Sequence, residues 1–388
     1  MPIFNSLGSS YNLKYVLKSL SRGKDQDSKD FKNYLEQKYN GEAILLYKGR
    51  EALTLALNIL KLPKDSRVAI NGFTCVAVFN AIRKAGFEPF CLDLEETEGL
   101  NFTAKTLAES IKNNKKIKAV VVQNTFGYPC DIETIQKLCQ RNNLTLIEDL
   151  AHCVGTNYPS GKEAGTVGDF VVLSLSQDKI IDAVSGGALV IRNKKFANIK
   201  ILGAIERHLE GVIRVKDRMY PLETYKIRLL YKFGIGKPYH FLLKKLNLLS
   251  NVMNESFYEY YSLPNWNASL ALYQFKLLEA QLSHRKKNAK IYFSNLPRSL
   301  LIYNEKDMYD RSSNLRFPII VGHRRDLLDF LKKKGIHLSD VWYTDVATEC
   351  PVAIGVSKKI LNLPTHINVS EHDAIKICEL INKWLKLQ

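Results

Sequence analysis

The 388-residue chain has no apolar run near the ~20 residues that a membrane-spanning helix needs. Its first twenty residues, MPIFNSLGSSYNLKYVLKSL, lack the uninterrupted apolar core of a secretory signal. Neither secretion nor membrane insertion is expected, and the expected location is cytoplasmic. The seven cysteines (75, 91, 130, 139, 153, 350 and 378) are odd in number, form no C-x-x-C pair and show no metal-ligand spacing. That excludes a disulfide scaffold, predicts no metal site and suits a reducing compartment. There is no internal repeat and no low-complexity segment. Acidic residues are scarce: 39 Asp and Glu face 56 Lys and Arg, a formal charge of +17. Nucleic acid, an anionic membrane or phosphorylated small molecules would each suit that balance, as would a generally basic surface. No recognition motif accompanies the charge, so nucleic acid is not expected. The excess is concentrated in residues 211–250, GVIRVKDRMYPLETYKIRLLYKFGIGKPYHFLLKKLNLLS, with nine Lys or Arg against two acidic residues.

What is present is ordinary globular composition, 46% hydrophobic and 24% charged, at a length that allows two domains. From residue 43 the pattern alternates. Ala43–Tyr47 reads as a short strand or the start of a helix, and Arg50–Leu60 has helical spacing. RVAINGF, EPFCLDL, IKAVVVQN, LTLIEDL and residues 170–176 and 187–192 read as strands. CVAVFNAIRKAG, LAESIKN and DIETIQKLCQRNN read as the helices between them. This predicts an α/β fold with a large, mostly parallel sheet covered on both faces, and ligands beyond the carboxyl ends of the strands. Residues 1–40 read as an N-terminal arm and 41–255 as the large domain, with 211–250 as an insertion. Residues 256–388 read as a long helix over 267–296 followed by a small C-terminal α/β domain.

Two residues at strand ends carry chemistry. Asp149 closes LTLIED; a carboxylate there is costly to bury unless paired. It suits a helix cap, a metal ligand or the counter-ion of a protonated ring nitrogen. His152 follows three residues later, within reach of a ring oxygen. Lys179 stands between two apolar runs in VVLSLSQDKIIDAVSGGALVI, behind Ser174 and Ser176. A desolvated lysine there suits imine formation with pyridoxal phosphate, whose usual partners are an Asp or Arg at the ring nitrogen and donors for the phosphate. Gly49 and Arg50 open a helix whose N–H groups could hold that phosphate.

With these residues in order, the chain resembles the DegT–StrS family of nucleotide-sugar aminotransferases, pyridoxal-phosphate enzymes of fold type I. The likeness runs from about residue 8 to 385. It is carried by INGFTCVAVFNAIRKAGFEPFCLDL, by Phe126-Gly127, Pro129, Asp131 and Glu148-Asp149, by GTVGDFVVLSLSQDK with SGGALVI, and by ILNLPTHINVS. The resemblance implies Lys179 as the Schiff-base lysine and proton carrier and Asp149 as the partner of the pyridine nitrogen. It places His152 near the ring hydroxyl, Ser174, Gly49 and Arg50 on the phosphate, and Cys75 where the family usually has a stacking aromatic. It also implies a homodimer whose partner subunit lends an Asn, for which Asn265 and Asn267 are candidates. Asp178 has no family role and reads as a solvated turn carboxylate. The implied reaction transfers an amino group, with glutamate the expected donor, to a keto group of a nucleotide-linked sugar in glycan synthesis. HLSDVWYTDVATE, residues 337–349, is the expected specificity region. The basic segment reads either as a solvent-facing insertion or as an interfacial element that brings the protein to an anionic membrane. Two alternatives stay open: a pyridoxal-phosphate enzyme of other chemistry (a dehydratase or a non-sugar aminotransferase), and a non-catalytic membrane-associated protein on the same fold.

Overall fold

The computed structural model describes residues 2–96, 99–197, 211–251, 260–338 and 346–387. One seven-stranded sheet runs in the order Glu42–Leu46, Gly187–Ile191, Phe170–Ser174, Thr145–Asp149, Ile117–Val122, Arg67–Asn71, Glu88–Leu92. Gly187–Ile191 is antiparallel to both neighbours, and every other pair is parallel. Glu42–Leu46 is therefore a strand, settling the choice left by its short apolar run.

The near-continuous apolar strands follow from burial on both faces. Successive side chains alternate between two cores. Ile70, Val121, Ile147, Val172 and Leu189 face one; Ala69, Val120, Leu146, Val171 and Val190 face the other. The helices Gly49–Ile59, Val76–Lys84, Ala104–Asn113 and Ile132–Arg141 lie between the strands as predicted. Asp131 starts the last of these, its carboxylate accepting the Thr134 N–H at 3.2 Å.

Downstream of the sheet the expected single helix is two, Asn265–Lys276 and Leu278–Asn295. The ladder changes step at Leu277, whose N–H reaches the Gln274 carbonyl three residues back rather than four. Phe317–Ile320 then pairs antiparallel with Ile360–Leu363, and Glu371–Leu385 closes the described chain behind a capping box of Ser370 and Asp373. At the other terminus Ile3–Phe4 pairs with Ile336–His337. The basic segment is helical over Gly211–Leu230 and Gly236–Lys245. No helix among the described residues is long and apolar enough to cross a membrane.

Candidate active site

Asp149, Ser174 and the start of Gly187–Ile191 lie at the same edge of the sheet. Asp149 and Val172 are register partners in adjacent strands, as are Ser174 and Gly187. Onto this edge the helix Gly49–Ile59 brings its N-terminus. A Cβ on Gly49 would lie 2.8 Å from the Ser174 Cβ, and one on Gly187 would lie 2.5 Å from the Gly49 nitrogen. Glycine at both positions lets the first turn of the helix settle beside the Ser174 hydroxyl, with Arg50 as its second residue. Lys48, just ahead of that turn, is buried and its ammonium donates to Ser185 Oγ at 3.2 Å. Burial brings its pKa down to about 8, with Asp217 opposing and Arg50 adding to the shift.

Asp149 is 4% exposed, and its Oδ1 accepts the Ala151 N–H at 2.9 Å. Burial pushes its pKa up to about 6, while the Ala151 N–H and the charge of Lys179 pull the other way without cancelling the shift. His152 is also buried; its ring stacks on Phe126 with centroids 5.6 Å apart and its Nδ1 accepts the Phe126 N–H at 3.3 Å. Burial, then Lys179 and Arg316, hold its pKa well below the usual histidine value. A neutral ring with Nδ1 as acceptor carries its proton on Nε2.

Lys179 sits in the loop between Ser174 and Gly187. Part of its surface stays accessible, yet the protein packed round the ammonium lowers its pKa. Burial is the largest cause; Cys75, Asp149 and Asp178 oppose it, and Arg316 adds to it. Two residues of the loop are left-handed, Asp178 at φ 64° and Val184 at φ 67°, the latter unfavourable for a β-branched side chain. Asp182 holds both in place. Its Oδ2 accepts the Asp178 N–H and its Oδ1 the Val184 N–H, each at 2.8 Å. From the N-terminal segment, Tyr11 donates to Asp182 Oδ1 and Tyr15 to its carbonyl, both at 2.9 Å. Burial and Asp178 push the Asp182 carboxyl up to about 8, against the Val184 and Asp178 N–H groups and the Tyr11 hydroxyl.

Asp178 is not the solvated carboxylate expected of a turn. Its Oδ1 is buried without a hydrogen bond. Burial raises its pKa against the pull of Arg316, Lys179, Arg228 and Arg285. Arg316 and Arg285 are themselves buried, the latter donating to the Leu315 carbonyl and to Thr365 Oγ1. Asp182, Lys48 and these arginines escaped sequence reading. Asp182 had one visible signal, an acid three residues past Lys179 within an apolar run. The arginines come from segments more than a hundred residues further on, brought close only by the fold.

Cys75, half-buried, caps the helix Val76–Lys84 and acts electrostatically on Lys179. Asn265 is engaged within its own chain by Asp25 and Ser28. Asn267 donates to the Ala183 and Ser185 carbonyls at 2.8 and 3.0 Å, bracing the far side of the lysine loop. Residues 339–345 of the expected specificity region lie outside the described residues.

These residues fit pyridoxal phosphate. Asp149 is a buried carboxylate whose charge is under-compensated, as a partner for a cationic ring nitrogen should be. The glycine-lined helix N-terminus beside Ser174 suits a phosphate. Lys179 offers an amine whose pKa is lowered.

Comparison with known proteins bears on the family and the fold. GDP-perosamine synthase of Escherichia coli O157:H7 is 26% identical over 361 residues, 90% of this chain and 88% of that one. The fold matches Helicobacter pylori PseC, an aminotransferase involved in the biosynthesis of pseudoaminic acid. That match has a TM-score of 0.71 at 18% identity, covering 97% of this chain and 96% of the other. It equally matches the PLP form of Spr1654 from Streptococcus pneumoniae, with a TM-score of 0.71, 18% identity and coverage of 97% and 96%. Residues 12–382 match the profile of one family. The chain belongs to the DegT/DnrJ/EryC1/StrS aminotransferase family, and is an aminotransferase with pyridoxal phosphate as its cofactor.

Proposed function

We infer that the protein takes an amino group from glutamate and places it on a keto group of a nucleotide-linked sugar used in surface-polysaccharide synthesis. The observation that carries the chemistry is the convergence of Asp149, Lys179 and the Gly49 helix N-terminus at one sheet edge. The naming of a relative as GDP-perosamine synthase supports the nucleotide-sugar substrate. When bound, pyridoxal phosphate supplies an electron sink for the charge left on carbon when a C–H bond breaks. Lys179 Nζ, its pKa lowered, would accept the proton that leaves the substrate carbon and hold it for the return transfer. Asp149 would pair with the ring nitrogen and keep it protonated, and His152 would donate from Nε2 to the ring hydroxyl. The Gly49 and Arg50 N–H groups, the Arg50 guanidinium and the Ser174 hydroxyl would hold the phosphate. Cys75 stands in the place of a stacking aromatic.

The working unit in this reading is a homodimer. Leu13 and Leu17, a turn apart on the helix Leu13–Ser19 and 55% and 61% exposed, offer apolar surface for it.

The test is to incubate the holoenzyme with glutamate and follow its visible absorbance and 2-oxoglutarate release, then add 4-keto or 3-keto nucleotide sugars. The expected result is loss of the yellow colour with stoichiometric 2-oxoglutarate, and recovery on adding a keto sugar. A colour indifferent to amino donors would overturn the transamination reading; recovery only with non-sugar ketones would overturn the substrate.

A further inference from the structure

From Thr224 to Ser250 the sequence contains no Asp or Glu. The two acids just upstream are engaged inward: Asp217 is buried and accepts from Tyr47 and Ser250, and Glu223 accepts from Lys226 and Tyr239. The helices Gly211–Leu230 and Gly236–Lys245 form a hairpin. Gly234 turns it at φ 75°, and Gly236 packs so closely that a Cβ would lie 2.4 Å from the Tyr231 ring. The hairpin is anchored on the body. Tyr231 meets the Phe4 ring edge-on at 5.0 Å, and Arg228 donates to the Ser9 and Tyr11 carbonyls. Ile227 and Leu243 are buried.

Its outer side is apolar. Phe233 is 71% exposed, Phe241 69%, Leu246 55% and Ile235 53%. Phe233 and Phe241 are the only exposed phenylalanines among the described residues. Lys232, Lys237, Lys244 and Lys245 stand exposed among them.

We propose that this hairpin is a membrane-docking element, which lays Phe233, Ile235, Phe241 and Leu246 into the headgroup boundary of an anionic bilayer while the four lysines meet its phosphates. The occupant follows from the chemistry. Bulky exposed apolar side chains interspersed with four exposed lysines, in a stretch without Asp or Glu from Thr224 to Ser250, match an anionic interface on both counts. A second copy docking through the same face would bring the lysines of the two hairpins together. Nucleic acid would leave the phenylalanine and isoleucine tips without a partner. The inference is independent of the sugar substrate. It would hold the enzyme where membrane-linked intermediates are assembled.

The test is co-sedimentation of the full-length holoenzyme with phosphatidylcholine vesicles, with and without 30% phosphatidylglycerol, at 50 mM and 500 mM salt. Binding is expected on the anionic vesicles at low salt, weakened on the order of ten-fold or more by high salt or by omitting phosphatidylglycerol. The paired changes Phe233→Ser with Phe241→Ser, and Lys244→Glu with Lys245→Glu, should each reduce binding by a similar factor while aminotransferase activity in solution is unchanged. A Phe233→Trp protein should show blue-shifted emission on anionic vesicles only. Absent binding at low salt, equal binding to neutral vesicles, or indifference to both pairs of substitutions would overturn the proposal. So would a shift from dimer to monomer in the serine variant, since the face would then be a protein contact.

Discussion

Between Ser174 and Gly187 the chain buries charge; between Tyr231 and Leu248 it exposes apolar surface. In the first region Asp178, Lys179 and Asp182 are crowded by Arg316, Arg285 and Arg228, and two left-handed residues are held by the hydrogen bonds of one carboxylate. In the second, Phe233 and Phe241 stand 71% and 69% exposed on a hairpin whose Ile227 and Leu243 pack inward. Each inverts the usual distribution of polarity, and for different reasons. Burial makes an amine reactive by making its protonated form costly, here against the opposing pull of Asp149 and Asp178. Exposed apolar side chains have no such effect on the fold's interior and call for an external partner. Changes in the loop should therefore damage chemistry and stability, whereas changes in the hairpin should leave both intact.

The largest effect that sharpens this contrast comes from Asp149→Asn. A neutral side chain cannot hold the ring nitrogen protonated, and kcat should fall on the order of 10²-fold or more, the scale of losing one preorganised charge-stabilising partner. The apoprotein should respond in the opposite sense. Asp149 has a folded pKa of about 6 against an ordinary 3.8. Its favourable contribution is therefore present below about pH 4 and lost as pH rises through 6. Wild-type apoprotein should lose up to about 3 kcal/mol across that window, and the Asn variant should lack this part of the slope. Urea unfolding of both from pH 4 to 7 measures it. Parallel pH profiles would show that Asp149 is already fully compensated by the protein.

A smaller effect separates the two regions directly. Asp182→Asn keeps the shape but leaves one acceptor oxygen where two are used, so a buried N–H of Asp178 or Val184 loses its partner. The expected cost is about 1–3 kcal/mol. It should come with a fall in kcat and a displaced pH profile as Lys179 shifts, while KM for glutamate changes less. Tyr11→Phe should cost about 1 kcal/mol. Phe233→Ser, on the hairpin, should stay within about 0.5 kcal/mol of wild type. Comparable losses from Phe233→Ser and Asp182→Asn would erase the distinction between the two regions.

Much of the sheet was legible because parallel strands buried on both faces leave apolar runs of five or six residues between helical spacings. Asp149, Ser174 and Lys179 were legible because they interrupt or end such runs. The break at Leu277 was not, since the apolar spacing continues across it while only the hydrogen-bond step changes. Asp178 was misjudged because a turn acid is usually solvated; Arg316 and Arg285, which surround it, arrive from distant sequence. The charge of residues 211–250 was visible, but not which apolar residues pack inward. Leu243 and Phe241 are two residues apart, one 6% and the other 69% exposed.

The most direct measurement is borohydride reduction of the purified yellow protein, followed by proteolysis and mass mapping of the cofactor-bearing peptide. The pyridoxyl group should be found on Lys179 alone, with Lys179→Ala both unlabelled and inactive. Labelling of the buried Lys48 or of any other lysine, or an active Lys179→Ala enzyme, would contradict the assignment of Lys179 as the residue on which the chemistry depends.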